Sequence, residues 1–104
     1  MDQWANNGVD ELSQRLVAAN HVMVRNLQGE AILLDLRSEM YLGLDEVGAR
    51  MWHLITAGES GEAAIAPLLA EFDVEEAKLR SDLRQFVRDL LGRQLLEVAH
   101  GTSA

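Results

Sequence analysis

The stretch Ala31-Ile-Leu-Leu-Asp-Leu-Arg-Ser-Glu-Met-Tyr-Leu-Gly-Leu-Asp-Glu-Val-Gly-Ala-Arg-Met-Trp52 changes its hydrophobic pattern along its length, and those changes decide the fold. Ala31 to Leu36 is almost wholly apolar, Arg37-Ser38-Glu39 is polar, and Met40-Tyr41-Leu42-Gly43-Leu44 is apolar again, as two short strands joined by a turn require. The turn has neither Gly nor Pro, so its type stays open. Asp45 then serves as a helix cap, since its carboxylate accepts free N–H groups of a first turn. Val47, Gly48, Met51, Leu54 and Ile55 follow at helical spacing, and Trp52 widens the apolar face.

Upstream, Val22, Val24 and Leu27 form a further strand, and Gln28-Gly29-Glu30 is its turn. Links this short cannot carry a parallel crossover, so the three strands are an antiparallel meander. Residues 1–20 offer only Leu12, Leu16 and Val17 as a narrow stripe and read as a flexible N-terminal segment, a frayed tail or one short helix. Downstream, Gly58 is the expected left-handed stop, and a second helix from Ser60 or Gly61 carries Ile65, Leu68, Leu69 and Phe72. Pro67 inside it costs about 3 kcal/mol mid-helix, so a kink or a start near Pro67 is expected. Asp73-Val74-Glu75-Glu76 has capping-box spacing, with Asp73 as cap. A third helix follows, on which Leu79, Leu83, Phe86, Val87 and Leu90 share an arc of about 100°. Gly92 ends it, Leu95 to Val98 adds a short closing strand, and His100 to Ala104 is a loose tail. The expected fold is α+β: a three-stranded antiparallel sheet followed by three helices, winged helix-turn-helix-like, with a domain over 21–98 between an N-terminal segment (1–20) and a C-terminal tail (99–104).

Composition narrows the function. The 104 residues hold 9 Lys and Arg against 17 Asp and Glu, a net charge of -8, with 48% hydrophobic residues, one Pro and no Cys. That is one small globular domain without disulfides. No apolar run approaches the roughly 18 residues of a membrane span, and Asp2 and Trp4 stand where a signal peptide carries Lys or Arg, so a cytoplasmic protein is expected. The acidic balance disfavours nucleic acid and anionic membrane and favours peptides and proteins. His21, His53 and His100 are too scattered for a metal site, and His53 is expected to be a half-buried structural side chain. The hydroxyl residues stand in no nucleophile elbow or phosphate loop, and Asp45/Glu46 and Glu75/Glu76 are explained by helix dipoles. The expectation is a binding module without catalysis.

The quoted stretch resembles the signature of the PqqD-like family, in which two hydrophobic strands lead through Tyr-x-x-Leu-Asn/Asp into a Val-Gly-x-x-hydrophobic-Trp helix; here these are Tyr41, Leu44, Asp45, Val47, Gly48, Met51 and Trp52. Leu69-Ala-Glu-Phe-Asp-Val-Glu-Glu to Leu91 is similar to the family's second and third helices, and the likeness spans residues 21–98. Glu39 stands where relatives commonly have Gly, and Asp45 where they have Asn. The versions nearest in character are stand-alone leader-recognition proteins of lasso-peptide gene clusters. The resemblance implies a non-catalytic protein without cofactor or metal that captures the leader of a ribosomally made precursor peptide. It would present the precursor to a leader-cleaving cysteine peptidase, with a cyclase as a further candidate partner. The alternatives are a winged-helix DNA-binding regulator and a generic peptide-binding adaptor.

Physically, the third strand, Glu39, Met40, Tyr41, Leu42, Gly43 and Leu44, has one neighbour and an unpaired edge that an extended peptide can complete. Leu79, Leu83, Phe86 and Val87 are expected as the wall of the adjoining groove, with Asp82 and the Arg80/Arg84 flank meeting polar side chains of the peptide. Arg80, Arg84 and Arg88 also fit a solvated helix flank with partners such as Glu76. Met40 and Tyr41 point to opposite faces, so only one of them faces the groove. The peptidase would dock elsewhere, on the acidic first helix or the N-terminal tail.

Overall fold

The meander forms where the hydrophobic pattern changes. The computed structural model describes residues 11–57 and 60–99, which leaves the expected Gly58 stop and the tail from His100 outside the described residues. Strands β2 (Val22–Asn26), β3 (Ala31–Asp35) and β4 (Met40–Leu44) build an antiparallel sheet of order β2-β3-β4. Register sets Leu33 opposite Leu42 and Val24, and Leu34 opposite Tyr41 and Met23. Because side chains alternate along a strand, Val24, Leu33, Leu42 and Leu44 share the inner face and Met23, Leu34 and Tyr41 the outer one.

Leu36–Glu39 makes the β3–β4 turn, and Asp35 holds it from inside. Its Oδ1 accepts the Arg37 N–H at 2.9 Å and the Ser38 N–H at 3.4 Å. Glu39 lies in the turn rather than the strand, at φ 64, the left-handed region that a glycine enters at least cost. Asp45 caps α1 (Glu46–Ile55) as expected, accepting the Gly48 N–H at 2.8 Å. Close quarters explain Gly48: a Cβ there would meet Asp45 Oδ1 at 3.3 Å.

Pro67 sits in the first turn of α2 (Ile65–Glu71), which follows a 3-10 turn over Gly61–Ala64. There its missing N–H costs nothing, because the first four helical N–H groups have no intrahelical acceptor. The third helix, α3 (Glu76–Gly92), starts later than its spacing suggests: Glu75 is the N-cap and makes no side-chain cap bond, so the capping box at Asp73 does not form. Glu76 instead accepts from Arg80 Nε at 3.0 Å. Its end falls at Gly92, as expected, and Gln94, at φ 63, takes the left-handed position. The Gln94 N–H bonds Leu91 O at 3.0 Å and the Leu95 N–H bonds Leu90 O at 2.9 Å, the paired bonds of a Schellman ending.

The largest departure is at residues 11–20. A 3-10 turn at Glu11–Ser13 and strand β1 (Leu16–Ala18) belong to the folded body, and Leu12 and Leu16 are fully buried. Strand β1 pairs antiparallel with β5 (Leu96–Val98), Leu16 opposite Val98, in a separate two-stranded ladder. These residues are therefore not a frayed tail, and beyond the single 3-10 turn they are strand rather than helix: the β5 partner lies far along the chain and leaves no periodic mark near Leu16. Trp52, Ile55, Leu68, Leu83 and Leu90 complete one core with Leu12, Leu16 and Leu33.

Candidate functional site

Strand β4 is hydrogen-bonded to β3 alone, so among the described residues its other margin has no strand partner. Beyond this margin two cavities, which together make a groove, open between α3 and its C-terminal end on one side and β4 and the start of α1 on the other. At the Met40 end it holds a cavity of about 360 Å³ lined by Met40, Leu42, Arg37, Arg93, Gln94 and Leu95. At the other end, past Leu44, a cavity of about 520 Å³ is lined by Asp45, Val47, Gly48 and Met51 on one side and Asp82, Gln85, Phe86 and Asp89 on the other. The helix thus lies antiparallel to the strand, its C-terminus beside the start of β4.

Of the expected site residues, Met40, Tyr41, Leu42, Asp82 and Phe86 line this groove, and Glu39, Gly43 and Leu44 complete the turn and strand at its margin. Register places Met40 opposite Asp35, on the inner face, and it is 67% exposed because nothing packs on it from the open side. Tyr41, 75% exposed, stands on the outer face opposite Leu34. Leu79, Leu83 and Val87 do not form a wall: they are 2%, 0% and 0% exposed, packed in the core. The apolar arc of α3 serves the interior, and only Phe86, at its border, remains half-buried. Arg80 points away to a double ion pair, with Glu62 at 2.6 Å and Glu76 at 3.0 Å, and the hydrogen bonds it donates to both carboxylates hold its guanidinium above its ordinary pKa.

Gln85, Asp89, Arg93, Gln94, Val47 and Met51 are groove residues that the sequence reading passed over. A helical signal exists for some of them: Asp82, Gln85, Phe86, Asp89 and Arg93 fall in a second arc about 100° wide, adjoining the core arc. Gln94 also fastens the groove's first end. Its carbonyl accepts His21 Nε2 at 2.9 Å, and its side-chain oxygen accepts Arg37 Nη2 at 2.7 Å, so β2, the β3–β4 turn and the end of α3 are tied together. Burial raises the Asp35 carboxyl, but bonds from the Arg37 N–H, the Ser38 hydroxyl and the Ser38 N–H, with the charge of His21, together bring it below its ordinary value.

A smaller cavity of about 330 Å³ lies between the β2–β3 turn and α1, bounded by the Arg50–Glu71 ion pair at 2.8 Å. His53 opens onto it and is exposed rather than half-buried. Among the described residues no group of His, Asp and Glu side chains converges as a metal set, and no helix is long and apolar enough to cross a membrane.

Comparison with known proteins agrees with this architecture. The chain is similar to a solved structure of TbiB1 in complex with the TbiA(beta) leader peptide, with a TM-score of 0.72 and 32% identity over 85% of this chain and 99% of that one. No curated protein matches the chain. The family described as coenzyme PQQ synthesis protein D (PqqD) matches residues 30–96, and with more than half of the sequence inside that match, this chain belongs to the PqqD family.

Proposed function

We propose that this chain is a leader-recognition protein: it binds the leader segment of a ribosomally synthesised precursor peptide and presents the precursor to maturation enzymes, a leader-cleaving cysteine peptidase among them. The observation that carries this reading is the likeness to TbiB1, whose solved structure holds a leader peptide. The open margin of β4 beside a groove supports a mode of binding. The leader adds as a further strand on β4, its backbone supplying the missing hydrogen bonds, and its alternate side chains enter the groove toward Phe86, Met51 and Leu42. Adhesion through the backbone tolerates sequence change; the pockets supply selectivity. The chain itself performs no chemistry in this scheme, and the enzymes act on the part of the precursor that the groove leaves free.

The DNA-binding alternative finds less support. Two arginines of α3 are engaged within the molecule: Arg80 by Glu62 and Glu76, and Arg88 by Glu11 at 2.7 Å. A recognition helix needs such side chains for phosphates and bases.

The test is titration of the chain with a synthetic leader peptide from the precursor encoded beside it. Saturable binding is expected, abolished when alternate leader residues that face β4 are N-methylated and retained when the intervening ones are. Saturable binding that ignores backbone methylation overturns strand addition; absence of binding overturns leader capture itself.

A further inference from the structure

The two ends of the groove carry opposite chemistry. Three carboxylates, Asp45, Asp82 and Asp89, line the cavity past Leu44, and no cationic side chain lines it. Two guanidiniums, Arg37 and Arg93, line the cavity beside Met40, where Asp35 is the lone carboxylate and spends an oxygen on the N–H groups of the turn. Local pairing does not cancel this polarity. The Lys78–Asp82 and Asp89–Arg93 pairs, at 3.0 and 3.2 Å, are exposed i,i+4 contacts of the kind that exchange readily for a better-placed partner, and the exposed Arg37 guanidinium meets Asp35 only at 3.9 Å. The α1 N-terminus at the acidic end has its dipole offset by the Asp45 cap and by Glu46. At the basic end Arg93 stands past the C-terminus of α3, where a cation is favoured.

From this we infer that the groove reads charge order in its peptide: a basic residue is received at the Asp82/Asp89 end and an acidic residue at the Arg37/Arg93 end. The inference rests on the leader capture proposed above and adds the substrate pattern. An antiparallel strand on β4 continues the all-antiparallel sheet and places the peptide's N-terminal part beside Leu44 and its C-terminal part beside Met40. Asp82 and Arg93 lie about 16 Å apart along the helix axis at 1.5 Å per residue. At about 3.3 Å per extended residue, that span sets the basic residue about four to six positions before the acidic one. Apolar residues between them face Phe86, Met51 and Leu42.

The experiment pans a phage-displayed library of random twelve-residue peptides on the full chain at low salt. Expected binders carry Lys or Arg, then apolar residues, then Asp or Glu in that order and spacing. An Asp82→Asn, Asp89→Asn variant is expected to lose the selection for the basic residue, and an Arg37→Gln, Arg93→Gln variant the selection for the acidic one. Exchanging the two charges in an enriched peptide is expected to weaken binding about tenfold, an effect that shrinks in high salt. Enriched peptides without charge order, or with the reverse order, overturn the inference and leave peptide capture standing. Failure to enrich any peptide overturns capture and the inference together.

Discussion

Glu39 occupies a backbone conformation suited to glycine, and its side chain is exposed, so nothing visible compensates for the strain. Glu39→Gly is expected to stabilise the chain by about 0.5–1 kcal/mol, read as a higher thermal midpoint, because a left-handed residue without Cβ relieves more than the added chain entropy costs. Asp35 acts in the same turn through its charge. Its folded-state pKa lies below the ordinary 3.8, so its contribution is full above that value and is lost as pH falls through the folded pKa. Asp35→Asn is therefore expected to lower the urea midpoint at pH 7 and to leave it little changed relative to wild type near pH 2. Asp45 was legible in the sequence because capping is local chemistry. Gln94 was not: Gly92 is the better left-handed residue by intrinsic preference, yet the helix runs through it and places Gln94 where His21 and Arg37 meet it.

At the scale of elements, α3 gives one arc to the core and an adjoining one to the cavity lining, and variants test the two separately. Leu83→Ala opens a cavity in the core and is expected to cost about 2–5 kcal/mol in chemical denaturation. Phe86→Ala, at the border, is expected to weaken leader affinity about tenfold or more while costing less stability than Leu83→Ala, since a half-buried aromatic over a groove is a typical anchor of a peptide. The helical period identifies a face but not which part of it the core consumes. That depends on how closely β3 and α1 approach, which Leu33 and Trp52 decide from elsewhere in the chain. Strand β4 was readable as a short apolar run after a polar break, and the choice of Met40 for the inner face required the register with β3.

For the molecule as a whole, the order of three strands and three helices followed from the stretch Ala31 to Trp52 and its neighbours, whose signals are local. The closing strand at Leu95 to Val98 was legible too, as β5, but β1 and its pairing with β5 were not, because a three-residue strand carries too little pattern and the ladder joins opposite ends of the sequence. Deleting residues 1–20 removes Leu12 and Leu16, both fully buried, and is expected to abolish cooperative thermal unfolding, since the two losses together rival the whole stability of a domain this size. Circular dichroism of the 21–104 fragment checks this.

The same ladder has a wider consequence. With Leu16 opposite Val98, the first and last strands of the described residues lie side by side, well separated in sequence from β4. A unit whose two ports adjoin can be spliced into a surface loop of another protein with little stretching of the host. Such a cassette would keep the β4 margin free, and, on the leader capture proposed above, tethering would raise the local concentration of a captured precursor at an enzyme that carried it.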